Sequence, residues 1–320
     1  MEQRGIDGPS IRISIVGAGR TGTVLGMALA RAGYHVATVA SRSPSSAKRL
    51  AARLPTCRVA RSAAGAAEDA DVVFLTVPDD AIVAVAESIP WKPGQLAVHC
   101  AGARPAGILV AATRAGAGAA GFHPLQSLVE PEVALDLLPG SAIGIEADDR
   151  WWEILATMAQ RIGATPLRIQ GDNRELYHAA SVAASNFVVG LMAFAADLWR
   201  DVGIDREATI QALLPLMLGS IRNLQTIGLP NALTGPVSRG DVGTVRAHIG
   251  ALQADPARLD IYRALSRVLV GLAKEQGTIT EPQATALRDV LGESGAATSA
   301  PEENASANER PPDSGDGPPR

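Results

Sequence analysis

The run Ile13-Ser-Ile-Val-Gly-Ala-Gly-Arg-Thr-Gly22 limits the possible folds of this chain more than any other feature. An apolar segment suited to a buried strand feeds directly into G-x-G-x-x-G at Gly17, Gly19 and Gly22, and a helix-forming stretch follows over residues 23–32. Gly17 permits the tight turn. Gly19 leaves no side chain between the backbone and a bound diphosphate, and Gly22 lets the helix pack close to the sheet. The diphosphate then rests on free N–H groups at the helix N-terminus. Gly17, Gly19, Arg20, Thr21 and Gly22 are the expected contacts of a dinucleotide. The competing reading is an empty turn of the same shape.

The next strand predicts which dinucleotide. His35-Val-Ala-Thr-Val-Ala40 ends in Ser41-Arg42-Ser43, where an NAD site usually carries an acid for the ribose. Arg42 suits a 2′-phosphate and the adenine face, Ser41 and Ser43 suit the phosphate oxygens, and Lys48 and Arg49 add positive charge nearby. The expected cofactor is NADP. The alternative is an ordinary solvated loop.

The first half alternates strand and helix. Strands read at 11–16, 35–40, 71–77, 96–100, 118–122, 141–146 and 165–169, and helices at 20–32, 44–53, 62–68, 79–88, 104–114 and 151–162. From residue 173 to 203 no strong breaker occurs except Gly190. Leu176, Ala180, Ala183, Phe187, Leu191, Phe194 and Leu198 form one apolar stripe. Helices then fit 205–227, kinked at Pro215, 238–253 with a capping box from Ser238 to Asp241, 256–275, and a short one near 281–291. The expected fold class is α/β, an N-terminal Rossmann dinucleotide-binding domain over 1–170 followed by an all-helical domain over 171–292. Residues 293–320 are polar and rich in Gly, Ser and Pro, the composition of a disordered tail.

Charge and cysteine usage exclude several classes. The net charge of −4 comes without a basic tract, so no nucleic-acid partner is expected. Cys57 and Cys100 have no metal-ligand spacing, so no metal site is expected. The first residues lack a signal-type apolar core, and no uninterrupted run of about 18–20 apolar residues occurs. These readings predict a cytoplasmic protein without membrane contact.

Candidate chemistry falls at strand ends. Thr76-Val-Pro-Asp-Asp80 places Val77 and Pro78 beside the cofactor, with Asp79 and Asp80 as helix caps. His99-Cys-Ala-Gly102 offers small residues, Cys100 and Ala101, to the nicotinamide end. Gly121-Phe-His-Pro-Leu125 places His123 just after a strand, where an imidazole can exchange a substrate proton near neutral pH. On the long helix, His178 and Ser185 share a face opposite the apolar stripe, with Asn186 at its border. The competing reading of this face is helix–helix packing. Arg239, just ahead of a helix start, suits a substrate carboxylate.

The segments GAGRTG, VPDD, HCAG, GFHPLQS, YHAASVAASN, LLPLMLGSIRNL and ALTGPVSRGD together resemble an uncharacterised bacterial Rossmann-like family with a C-terminal helical domain of unknown function, over roughly residues 11–275. The plan is similar to the 6-phosphogluconate and β-hydroxyacid dehydrogenase superfamily, with pyrroline-5-carboxylate reductase as a relative. That resemblance implies a helical domain across the cofactor and a homodimer joined through it. The FHP segment also resembles prephenate dehydrogenases, which implies a catalytic role for His123 and sets Cys100 near a substrate-contacting position. The superfamily's helix lysine is missing: Val182 stands four residues before Asn186, and His178 is the candidate replacement. The resulting expectation is an NADP-dependent oxidoreductase acting on a small, carboxylated alcohol–ketone or amine–imine pair. Its alternative is an NADP-binding regulatory or interaction protein without turnover.

Overall fold

The computed structural model describes residues 11–170 and 173–292, so the expected disordered tail lies outside the described residues. The chain forms two compact units, Met1–Gly190 and Leu191–Arg320. Residues 174–190 thus group with the sheet, although their periodicity alone assigns them to the helical region.

In the first unit, β1 (Arg12–Val16), β2 (His35–Ala40), β3 (Arg58–Val59), β4 (Val72–Leu75), β5 (Leu96–His99), β6 (Gly118–Leu125), β7 (Ala142–Glu146) and β8 (Thr165–Arg168) form one sheet in the order β3-β2-β1-β4-β5-β6-β7-β8. The first six strands are mutually parallel. β7 runs antiparallel to β6 and carries β8 parallel to it at the edge. The helices are α1 (Arg20–Arg31), α2 (Pro44–Ala51), α3 (Ala63–Ala67), α4 (Ile82–Glu87), α5 (Val110–Arg114), α6 (Pro131–Leu137) and α7 (Asp149–Arg161). Strand alternation sorts the core. Val72 and Phe74 pack with α1, α2, α6 and α7 on one face, and Val73 and Leu75 with α3, α4 and α5 on the other. Phe74 meets Phe122 edge to face at 5.6 Å, worth about 0.5–1.5 kcal/mol beyond the area buried.

Several local expectations are corrected. β3 is two exposed residues and α6 is seven, both too short to show a period. The expected helix 79–88 is a single 3₁₀ turn, Asp79–Ala81, followed by α4, and neither Asp79 nor Asp80 caps it by a side-chain bond. The expected helix 104–114 similarly splits into a turn, Ala106–Ile108, and α5.

The largest departure lies in the long helix, which is two helices, α8 (Arg174–Ala184) and α9 (Asn186–Asp201). Ser181 Oγ donates to Tyr177 O at 2.9 Å and Ser185 Oγ to Ser181 O at 2.7 Å. Such bonds back to the preceding turn compete with the main-chain ladder, and it breaks at Ser185. The N-terminal part of the expected apolar stripe is exposed, with Leu176 74% and Phe187 61% accessible, while Leu198 at its far end packs against the core of the second unit. By length and composition, Arg174–Asp201 is apolar enough to cross a membrane. A ladder broken at Ser185, with polar Ser181 and Asn186 beside the break, is a poor spanning element, because unpaired main-chain groups are costly in lipid.

In the second unit, α11 (Val242–Leu252), α12 (Pro256–Gln276) and α13 (Glu281–Val290) pack around Val245, Ile249, Val270, Ala273 and Leu287. Helix α11 starts four residues later than expected. Asp241 is its cap, accepting from Thr244 N at 3.0 Å, while Ser238 bonds Gln276 instead. The capping box belongs to α13, between Thr280 and Gln283. The 22-residue α10 (Arg206–Ile227) contains Pro215, and Thr209 is its one buried residue.

Candidate active site

All six parallel strands deliver their C-terminal ends to one edge, and the candidate site is built there. At β1, Gly17 takes φ +114°, and a Cβ on it would lie 2.5 Å from Thr76 O and 2.9 Å from Val77 N. Thr76 Oγ1 donates to Gly17 O at 2.6 Å, locking the glycine loop against the end of β4. Val77 therefore runs beside the loop, and Pro78 follows it. A Cβ on Gly22 would run into the Gly17 carbonyl and lie close to Thr76 Oγ1, so close packing of α1 requires glycine there. Gly19 differs: nothing lies within 4 Å of where its Cβ would be. It is the N-cap of α1, with no side-chain cap and no acid in the first turn. Arg20 and Thr21 follow in that turn. The arrangement fits a diphosphate: open space, unpaired N–H groups and the positive end of a three-turn helix.

At β2, Ser43 Oγ caps α2 by accepting from Ser46 N at 3.4 Å, and Ser43 N donates to Ser41 Oγ at 3.4 Å. Arg42 is exposed and has no ion-pair partner among the described residues. A 440 Å³ cleft flanks the loop, lined on one side by Gly19, Arg20, Thr23, Ser46 and Arg49 and on the other by Glu130 and Glu132. Glu132 pairs with Arg53 at 2.6 Å, which leaves Arg20 and Arg49 as the cleft's cations without an ion-pair partner among the described residues. The cationic side chains gathered here fit the phosphates of the cofactor the sequence predicts.

The candidate reacting end lies at β5 and β6, the latter three strands from β1, about 14 Å away at the usual strand spacing. His123 does not follow a strand as expected. β6 continues through Leu125, because residues 121–125 pair with β7, and His123 stands opposite Gly144. His99 pairs with Gly121, so His123 lies level with the loop after β5. A Cβ on Gly102 would lie 2.9 Å from His123 Nε2 and would strike the His178 ring. The two imidazoles are 5.8 Å apart, centroid to centroid. The structure thus unites His123, His178 and the Cys100–Gly102 loop. Ser185 and Asn186 instead bond each other, with Ser185 Oγ 3.0 Å from Asn186 Oδ1. Arg239 is exposed in the second unit.

The remaining strand-end groups hold the loop. His99 is fully buried; its Nδ1 accepts from Ala101 N at 3.2 Å and its Nε2 lies 3.2 Å from Pro105 O. Burial pushes it down to about 4. Burial likewise drives the Cys100 thiol up to about 12, which removes thiolate chemistry.

Two residues of the site were not foreseen. Arg174, at the start of α8, is fully buried: Nη2 donates to Ala101 O at 2.7 Å, and Nε is 3.5 Å from Glu146 Oε2. It fits because Gly121 has no side chain; a Cβ there would lie 2.9 Å from Nη2. Three residues on, the Tyr177 hydroxyl is 3.0 Å from His123 Nδ1 and occupies the space a side chain on Gly144 would need. Glycines at 102, 121 and 144 were the available signal, since each marks a close approach. Burial, then the charges of Arg174, His178 and His99, push His123 down to about 4, so its imidazole is neutral at physiological pH.

The comparisons agree with this architecture. Residues 1–124 match the model of a Rossmann-like domain, and residues 141–269 match "Domain of unknown function (DUF2520)". Protein TM1727 of Thermotoga maritima is similar at 25% identity and TM-score 0.68, over 83% of this chain and 99% of that one. A Bacteroides fragilis protein assigned as an NADP oxidoreductase is similar at 25% identity and TM-score 0.63, over 81% of this chain and 97% of that one. The Plasmodium falciparum pyrroline carboxylate reductase with NADP bound shares the fold at 15% identity and TM-score 0.56, over 85% and 98% of the two chains. A search of curated proteins gives no match. The chain thus carries a Rossmann-like domain followed by a domain that matches the uncharacterised DUF2520 family, and its fold is shared with a pyrroline carboxylate reductase.

Proposed function

We propose that this protein is an NADPH-dependent oxidoreductase that moves hydride between the nicotinamide and a small, carboxylated substrate. The observation that carries the reading is the shared sheet edge: an open diphosphate cradle at Gly19 and, three strands away, a neutral imidazole, His123, beside His178. The cofactor supplies the hydride when bound. The glycine loop and the α1 N-terminus hold its diphosphate, and Ser41, Arg42 and Ser43 select its 2′-phosphate. Val77, Pro78, Cys100 and Ala101 border its path. His123 exchanges the proton that must accompany hydride at the substrate heteroatom. His178, Ser185 and Asn186 line the substrate side in this reading. A fluorescence screen of NADPH oxidation with pooled keto acids and imines tests it. Binding of NADPH without turnover of any pool favours the regulatory alternative.

Cofactor choice gives a separate prediction. Calorimetric titration should show tighter binding of NADPH than NADH, and Arg42→Ala should weaken NADPH alone by about 1.5–3 kcal/mol, the loss of a charge-assisted pair. Equal affinities in the unmodified protein defeat the assignment.

The active assembly we propose is a homodimer joined through the helical region. On α10, Leu216 is 68% and Ile227 54% exposed, eleven residues apart and so on one face of the helix, and exposed large apolar side chains aligned in this way call for a partner. Light scattering at micromolar concentration should report twice the chain mass. A monomer there counts against the proposal.

A further inference from the structure

We propose that Tyr177 is the positioning residue of this site: its hydroxyl holds His123 as the Nε2–H tautomer, so that the site presents an N–H donor and takes a carbonyl compound. The inference rests on the proton-exchange role given to His123 above, and it narrows the substrate class that role leaves open.

The argument starts from register. Gly121 pairs with Glu146 and His123 with Gly144 across β6 and β7. Helix α8 lies over both pairs, with Arg174 against the first and Tyr177, one turn later, against the second. The phenol is hemmed in. Its oxygen sits on Gly144, its ring meets the His123 ring edge-on at 5.7 Å, and the Arg174 guanidinium lies 5.8 Å from its centroid.

Among the described residues His123 Nδ1 is the one hydrogen-bond partner of this hydroxyl. Two arrangements are conceivable. If Nδ1 carried the proton, it would donate to the phenol oxygen and leave the half-buried O–H without an acceptor. If Nδ1 is bare, the O–H donates to it and both groups are satisfied. Half-buried hydroxyls are paired, so the second arrangement holds, and the ring proton sits on Nε2. That nitrogen faces the space left by the missing side chain of Gly102.

The charges around the ring keep this neutral form in place. Arg174, His178 and His99 face it as cations or potential cations, while Glu146 faces Arg174. A second positive charge on His123 is disfavoured, so the tautomer decides what the site offers a substrate.

An Nε2–H donor needs a lone pair opposite it. A ketone or aldehyde oxygen provides one. A neutral imine also has one but is a poor hydride acceptor; the protonated imine, the form that takes hydride readily, has none, and its N–H would oppose the donor. In the reduction, the carbonyl carbon gains hydride from the reduced nicotinamide, and the C=O π pair moves onto oxygen, which takes the Nε2 proton. Nδ1 takes the phenol proton while the half-buried hydroxyl takes one from solvent, since burial holds the Tyr177 phenol above its ordinary range and disfavours a standing phenolate.

Nuclear magnetic resonance of the full chain labelled with ¹⁵N-histidine tests this without cofactor. Long-range proton–nitrogen correlations separate the two tautomers, and the His123 signals are those lost in His123→Asn. The expected result is Nε2–H in the unmodified protein and a tautomer mixture in Tyr177→Phe. That variant should bind NADPH within about twofold of normal and reduce ketones at least about tenfold more slowly, with KM unchanged. An Nδ1–H ring in the unmodified protein overturns the proposal, as does an unchanged tautomer in a folded Tyr177→Phe, or faster turnover of cyclic imines than of any ketone. If Tyr177→Phe fails to fold, the spectrum of the unmodified protein decides. Failure of the unmodified protein to bind NADPH strikes instead at the oxidoreductase reading, and leaves the tautomer measurement standing.

Discussion

Replacing His123 by Asn is expected to slow the chemical step by about two orders of magnitude or more, the usual scale of a lost acid–base group. Asparagine keeps the volume and one amide donor but cannot pass a proton through the ring. The side chain is half-buried on β6, with the Tyr177 hydroxyl on one nitrogen and Gly102 beside the other, so the substitution leaves the sheet core untouched. NADPH affinity should stay within about twofold, because the diphosphate cradle lies three strands away, about 14 Å at the usual strand spacing. Single-turnover kinetics separate chemistry from binding. An unchanged chemical rate removes His123 from the mechanism and brings the regulatory alternative forward.

The glycine loop gives the second large effect, and a contrast internal to it. Gly19→Ala should fold, since no atom lies within 4 Å of the added methyl. The cost at an N-cap is about 1 kcal/mol or less. The methyl nevertheless stands where the diphosphate must approach the first turn of α1, so NADPH affinity should fall by at least tenfold, about 1.4 kcal/mol. Gly22→Ala reverses the balance. Its methyl meets the Gly17 carbonyl and Thr76 Oγ1, and relief requires moving the β1–α1 turn away from β4. Overpacking of that kind costs about 1–3 kcal/mol. Thermal unfolding and calorimetry on the two variants check both. Undiminished NADPH binding by a folded Gly19→Ala protein argues that no diphosphate lies over α1.

Much of the sheet was legible because its information is local. Val72-Val-Phe-Leu75 reads as a doubly covered strand wherever it is placed, and Gly17, Gly19 and Gly22 announce a turn whose geometry follows from missing side chains. The strand order was less so: right-handed crossovers fix which face each helix covers, whereas the reversal of order at β1 and β4 and the antiparallel β7 come from the assembled sheet. His123 was legible as a residue, but its place inside β6 was not: the extension to Leu125 depends on pairing with β7, twenty residues later in the chain.

What only the tertiary structure decided has one physical origin: contacts whose partners are distant in sequence and whose residue types suggest something else. Arg174 reads as a solvated charge in a helix first turn, yet it is fully buried, because Gly121 clears the space and Ala101 and Glu146 answer its charge. Tyr177 reads as an amphipathic helix residue, yet its hydroxyl meets an imidazole 54 positions earlier. Ser185 reads as one side chain on a continuous face, yet with Ser181 it takes up carbonyls of the preceding turn and divides the helix. By itself the sequence determined the glycine turn, the buried strands and the residue types at their ends, since each depends on neighbours a few positions away. The charge placement, the hydrogen-bonded imidazole and the helix break needed the assembled sheet, because long-range packing alone sets which polar groups lose water and which partners replace it.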